Sequence, residues 1–207
     1  ALHDPLTGLP NRILMLDRLQ QCLSRRDETN SGLAVLFIDL DHFKRINDSF
    51  GHEAGDQVLI TVAQRLQRAM RPADTVARLA GDEFVVACPD VASYRDATVI
   101  AQRLQEALAP PIHLNEDNVF VAASIGIALA APGCDAEKLI GSADIAMYQA
   151  KTGGRARHQL FDEQMQMQVA TRLRIENDLH QALACGEFRL FFQPIIAAAT
   201  GAVVSVE

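Results

Sequence analysis

The sequence predicts an α/β (α+β) fold, with a central, mainly antiparallel sheet flanked by helices, and three observations carry that prediction. Leu33–Leu40 (LAVLFIDL) is almost wholly apolar, the pattern of a strand buried on both faces. Thr75–Leu79 and Phe84–Cys88 are β-prone runs on either side of Ala80, Gly81, Asp82 and Glu83, small and acidic residues that let the chain reverse, so the pair reads as a hairpin. Helical periods are interleaved with these strands, and a sheet that contains a hairpin is mixed rather than doubly wound and parallel.

Taken in order, Asn11–Arg26 is helical, with Ile13, Leu14, Leu16, Leu19 and Leu23 as its apolar stripe. The strand Leu33–Leu40 is followed by a short helical turn around Lys44. Glu53–Met70 carries Leu59, Val62, Leu66 and Met70 at three- and four-residue steps. After the hairpin, a helix from Ser93 to Leu108 is stopped by Pro110-Pro111. Val119–Ala130 (VFVAASIGIALA) reads as one strand whose small residues permit close packing against a helix. Asp135–Lys151 is that helix, with Leu139, Ala143, Met147 and Ala150 on one face, and His158–Phe161 is a short closing strand. A long helix from about Phe161 to Ala184 follows, with Met165, Val169, Leu173, Leu179 and Leu183 as apolar positions, and then an apolar hairpin formed by Gly186–Ile196 and Thr200–Glu207.

Composition bounds the function. The chain has 207 residues, enough for one full core and a fragment of a second domain, and a net charge of -7 that argues against a nucleic-acid polymer as partner. A phosphate-bearing substrate must then be held locally, by a few cations and metal. Cys22, Cys88, Cys134 and Cys185 form no metal spacing and read as reduced, mostly buried thiols. No apolar run reaches membrane-span length and no signal peptide opens the chain, so a cytoplasmic domain without membrane contact is expected, from a larger protein whose missing segments could anchor it.

The chemistry is carried by carboxylates. Asp39 ends the buried strand, Asp41 follows it, and Asp82 and Glu83 occupy the hairpin tip. An acid at the end of a buried strand is costly without a partner, and a divalent cation shared with a second acid offsets that cost. If the two strands are neighbours, Asp39, Asp82 and Glu83 converge; otherwise Asp39 simply meets solvent.

Four motifs in sequence order then bear a family resemblance: His3-Asp4-Pro5-Leu6-Thr7-Gly8-Leu9-Pro10-Asn11-Arg12, Asp39-Leu40-Asp41-His42-Phe43-Lys44-Arg45-Ile46-Asn47-Asp48, Phe50-Gly51-His52-Glu53-Ala54-Gly55-Asp56, and Ala80-Gly81-Asp82-Glu83-Phe84. Over residues 1–160 the chain resembles the GGDEF family, the bacterial diguanylate cyclases, departing from it at Ala80, where the family has its first glycine. The resemblance implies the palm-like fold that nucleotidyl cyclases share with polymerases. It also implies condensation of two GTP into cyclic di-GMP and pyrophosphate by a homodimer, each domain bringing one GTP.

Within that resemblance Mg²⁺, or Mn²⁺ in its place, is held by Asp39, the Leu40 carbonyl and Asp82, with Glu83 either a second-metal ligand or the general base. Lys44 is assigned to the phosphates, as are Lys151 and Arg155, although cations at a helix C-terminus also complement the dipole. Phe43, His52, Ala80 and Gly81 are expected to line the GTP pocket. Asn47 and Asp56 are expected to choose the base: guanine supplies donors that Asp56 accepts, and adenine would leave a buried Asp56 unpaired. Asp56 is equally placed to cap a helix. Asp41 reads as a solvated turn acid. Arg71 and Asp74 match the family's Arg-x-x-Asp site for inhibitory product.

Residues 161–185 read as a connecting helix, and 186–207 resemble the start of an EAL phosphodiesterase domain, too short to be active. Two other readings compete with an active cyclase: a GTP-binding domain of weak or no activity that regulates an adjoining EAL domain, and a cyclic di-GMP receptor acting through Arg71 and Asp74 alone.

Overall fold

The computed structural model describes residues 2–29, 31–114 and 117–207. The chain divides into two units, residues 1–166 and 167–207. The first is built in the order α1 (Arg12–Thr29), β1 (Leu33–Leu40), α2 (Phe43–Phe50), α3 (His52–Ala69), β2 (Thr75–Ala80), β3 (Glu83–Pro89), α4 (Tyr94–Leu108), β4 (Ile112–Leu114), β5 (Asp117–Val119), β6 (Ala123–Leu129), α5 (Ala136–Thr152) and β7 (His158–Leu160).

The main sheet has the strand order β2-β3-β1-β6-β7. Its pairs β2/β3, β3/β1 and β1/β6 are antiparallel, and only β6/β7 is parallel, so the sheet is mixed and mainly antiparallel. β1 is central, and its two faces are buried alternately. Ala34, Leu36, Ile38 and Leu40 face the apolar layer made with α3 and α4, whereas Leu33, Val35 and Phe37 face the layer made with α1 and α5. Burial on both faces is why the strand reads as a continuous apolar run rather than an alternation.

The helix ends follow from local chemistry. The Asn11 side chain accepts from Leu14 N–H at the start of α1, Ser93 accepts from Asp96 N–H at the start of α4, and Asp135 accepts from Lys138 N–H at the start of α5. Gly126 on β6 sits where α5 crosses at closest approach: an added Cβ would run into the Ala143 carbonyl and the Met147 amide. That close approach is what the small residues of this strand permit.

Three expectations are corrected. Val119–Ala130 is not one strand: Val119 ends β5, which among the described residues pairs with β4, Phe120 is 72% exposed, and the sheet strand begins at Ala123. No glycine or proline marks that break, so apolarity alone ran across it. The turn after β1 is a full eight-residue helix, α2. Of the cysteines only Cys88 is buried; Cys22 and Cys134 are half-buried, Cys185 is exposed, and all four are free.

The helix α6 (Glu163–Ala184) runs across the boundary between the units. Its Ile175, Leu179 and Leu183 are exposed, and the side chains of Val169 and Leu173 lie outside the described residues. In the second unit β8 (Pro194–Ile196) pairs antiparallel with β9 (Val203–Val206). The strand expected from Gly186 is shorter than its apolar run, with Leu190 and Phe191 each 87% exposed.

Candidate active site

The site is assembled at the C-terminal end of β1. The register sets Asp39 opposite Glu83 on β3 and opposite Ser124 on β6. Asp82 lies in the β2–β3 turn, and its carbonyl accepts the Leu40 N–H at 3.4 Å. The three acids expected to converge are therefore brought to one edge of the sheet. Among the described residues, no three or more His, Cys, Asp or Glu side chains form a group able to hold a metal by themselves. Two acids and the Leu40 carbonyl make a smaller set of hard oxygen donors, of the kind Mg²⁺ or Mn²⁺ takes with substrate oxygens completing its shell.

Electrostatics show the strain of gathering these acids. Asp39 is 6% exposed, and burial, Asp82 and Asp41 together push its carboxyl above the ordinary range against the pull of Lys151. Glu83 is raised as well, by burial first and then by Asp144, Asp39 and Asp82. Like charges facing each other across a strand pair destabilise it. Lys151 relieves part of this, its Nζ standing 2.7 Å from Asp39 Oδ2. Asp144 on α5, itself raised by desolvation, is an acid of this site that sequence reading missed. Its spacing of seven from Lys151, two helical turns on one face, was the available signal.

The turn itself is braced from the N-terminus. Arg78 Nη1 pairs with Asp4 at 3.0 Å, Arg78 Nε donates to the Gly81 carbonyl at 2.9 Å, and the Arg78 amide donates to the Pro10 carbonyl at 3.0 Å. Thr7 donates to Asp4 from both its amide and its hydroxyl. Although burial works the other way, these bonds from Thr7 and Arg78 hold the Asp4 carboxyl below its ordinary value. The run His3–Arg12 stood out in the sequence, but its link to Arg78 did not.

Ala80 lies within β2, paired with Glu83 after a bulge and without a positive φ. The left-handed position is Gly81, at φ 50°. The methyl group at 80 therefore carries no backbone strain, and its side chain is exposed to whatever the turn receives.

On α2, Lys44 is exposed and Asn47 half-buried. The Asn47 amide occupies the space a Cβ at Gly55 would need, which puts it against the first turn of α3 beside Asp56. Asp56 is exposed rather than buried, so it is not desolvated by the fold itself, and it lies inside α3, which is capped by Gly51. His52 is exposed at the start of α3, whereas Phe43 is 8% exposed and packs in the core beneath Gly55.

Asp41 is corrected outright. It is 9% exposed; Oδ1 accepts from the Ser124 hydroxyl at 2.8 Å and Oδ2 from the Ala156 amide at 2.9 Å. Arg155 is exposed, at φ 62°.

Arg71 and Asp74 stand apart, at the opposite end of β2, roughly 17 Å away by strand rise. Asp74 accepts the Arg71 amide at 2.8 Å, and both residues line a cleft of about 300 Å³ with Arg18, Gln67 and Thr75. Arg18, which donates to the Thr75 hydroxyl at 3.3 Å, was not singled out in the sequence.

A mainly antiparallel sheet thus carries acids at the end of its central strand, with Lys151 beside them and the Asn47-bearing helix α2 alongside. The chain belongs to the family described as diguanylate cyclase, GGDEF domain, which matches residues 1–157. It is 41% identical over 208 residues to the bifunctional diguanylate cyclase/cyclic di-GMP phosphodiesterase MucR of Pseudomonas aeruginosa, covering all of this chain and 30% of that protein. The cyclic di-GMP phosphodiesterase NbdA of the same organism is 40% identical, with 100% and 26% covered. Among solved structures, the GGDEF domain of TpbB (YfiN), also from P. aeruginosa, superimposes with a TM-score of 0.77 at 42% identity, covering 81% of this chain and 99% of that one. The chain thus spans less than a third of these two curated relatives. No helix among the described residues is long and apolar enough to cross a membrane.

Proposed function

We propose that residues 1–160 are a diguanylate cyclase that condenses two GTP into cyclic di-GMP. The observation that carries this reading is the register of Asp39 against Glu83, with Asp82 in the adjoining turn: acids face each other at one strand end, with Lys151 as their counter-charge. In each of two steps a 3′ oxygen attacks the α-phosphorus of the other GTP. A P–O bond forms, the bond to the bridging oxygen of the β-phosphate breaks, and pyrophosphate leaves. Because each domain brings one GTP, the reaction needs a homodimer.

Asp39, the Leu40 carbonyl and Asp82 would hold Mg²⁺, which when bound neutralises phosphate charge and acidifies the attacking hydroxyl. Glu83, whose carboxyl is raised by burial and by the neighbouring acids, would take the hydroxyl proton or hold a second cation. Lys44, Lys151 and Arg155 would meet the triphosphate, Lys151 exchanging its ion pair with Asp39 for phosphate oxygens. Asn47 and the solvent-facing Asp56 would read guanine, the base rather than the fold completing the burial of Asp56. Arg71 and Asp74 would bind product in their cleft and inhibit.

The match to MucR and NbdA extends through the tail, which supports reading 161–185 as a connector and 186–207 as the start of an EAL domain, without phosphodiesterase activity in this piece; a cytoplasmic location fits both. The second reading is a GTP-binding regulatory domain, favoured by the name of NbdA as a phosphodiesterase. The two part in one assay: purified chain with GTP and Mg²⁺, product followed by chromatography, beside Asp82→Ala. Cyclic di-GMP formed only by the unsubstituted chain supports the cyclase; bound GTP with no product at high protein concentration supports regulation.

A further inference from the structure

We infer that Asp41 is a positioning residue, whose buried carboxylate fastens the left-handed turn that presents Arg155 to the acidic end of β1. The inference rests on the GTP-binding reading above, with Arg155 on the triphosphate. Three successive residues after α5 have positive φ: Gly154 at 120°, Arg155 at 62° and Ala156 at 48°. Two of them carry side chains, and such residues enter the left-handed region singly unless something outside the chain segment fixes them. One local bond and one from outside the segment hold it. The Arg155 amide donates to the Ala150 carbonyl at 3.0 Å, and the Ala156 amide donates to Asp41 Oδ2 at 2.9 Å.

The carboxylate needs the turn as much as the turn needs it. Asp41 is nearly buried, and an acid so placed is costly without charge-assisted donors. Its other oxygen takes the Ser124 hydroxyl from β6, and its own amide donates to the Ala122 carbonyl at 2.8 Å, so Asp41 cannot swing away. Asp41 stands two residues beyond Asp39. A single strand end thereby sets both the acid proposed for metal and, through one peptide group, the cation proposed for phosphate. If the turn were only a loop closure, glycines at 155 and 156 would serve without a buried acid.

The test uses the full chain and five variants: Asp41→Asn, Arg155→Ala, Ala156→Gly, and Asp41→Asn combined with each of the other two. Affinity for a fluorescent GTP analogue is measured without metal, beside thermal melting and the exchange rate of the Ala156 amide. Asp41→Asn is expected to weaken the nucleotide roughly tenfold. It should add no loss to Arg155→Ala, and Ala156→Gly should restore part of the affinity by relieving the strained φ. Additive losses, an unchanged affinity in Arg155→Ala, or a lower melting temperature in Asp41→Asn with wild-type affinity would each overturn the inference. If the unsubstituted chain binds no GTP, the functional reading fails by itself. Faster Ala156 exchange in Asp41→Asn then still supports the fastening, and unchanged exchange refutes it.

Discussion

Lys151 Nζ and Asp39 Oδ2 are 2.7 Å apart, an ion pair that joins the last turn of α5 to the end of β1. Lys151 is partly exposed, so breaking the pair falls short of the cost of a fully buried one. Lys151→Met is expected to destabilise the chain by about 1–3 kcal/mol at pH 7. Millimolar Mg²⁺ should recover more stability in this variant than in the unsubstituted chain, because a cation at Asp39 replaces the lost charge. Melting curves with and without Mg²⁺ decide the matter: equal Mg²⁺ effects would remove Asp39 from the metal set.

The acids predict a pH dependence. Asp39 and Glu83 both titrate higher in the folded chain than in the unfolded one. The folded state therefore binds more protons, and its stability falls as pH rises from the ordinary carboxyl range through the folded values. Glu83→Gln should melt above the unsubstituted chain at pH 7, with the difference vanishing at and below about pH 4. A gap that widens toward acid would contradict the assigned direction.

Ala80→Gly tests what the methyl group does. Position 80 is extended strand, so glycine relieves no strain there and costs about 0.5–1 kcal/mol in chain entropy. Gly81→Ala, at φ 50°, should cost about 1–2 kcal/mol more than a residue at an ordinary φ. Any rise in cyclic di-GMP turnover in Ala80→Gly, expected to stay within about tenfold, then measures crowding of the nucleotide by the methyl. Denaturant titration beside the chromatographic assay separates the two effects.

Gly126→Ala should be among the most damaging single-methyl changes in the fold. The new Cβ would meet backbone of α5, which cannot turn aside as a side chain can. A loss of about 1–3 kcal/mol or more is expected, read as a lowered denaturation midpoint. α5 carries Asp144 and Lys151, so nucleotide affinity should fall with it. Gly133→Ala probes a different cost, because its added Cβ meets open space and only φ, at 71°, opposes it.

What the sequence made legible was whatever a local pattern encodes. β1 and the β2–β3 hairpin were readable because burial on both faces leaves an unbroken apolar run, and α3 to α5 because their apolar stripes are local. The acids at 39, 82 and 83 could be suspected of meeting only on the condition that their strands are neighbours, which the antiparallel β1–β3 pair fulfils. What escaped was set by distant partners. Asp41 looked solvated because nothing near it in sequence announces Ser124 or Ala156. The Arg78–Asp4 brace and the approach of Asp144 to Glu83 likewise depend on tertiary placement. The break between Val119 and Ala123 escaped for the opposite reason, an apolar segment that changes sheets without a turn residue to mark it.

β1 holds its place between β3 and β6, and both neighbours of Asp39 arrive from far down the chain. Strand pairings of such long sequence separation close late in folding, after more local helices and hairpins have formed. Asp39 meets Glu83 only once β1 and β3 have paired, and Lys151 joins them only once α5 has docked, so the complete site draws on segments spread along the first unit. A copy cut before β6 would keep the strand pair that sets Asp39 against Glu83 but lose Lys151, the counter-charge to Asp39.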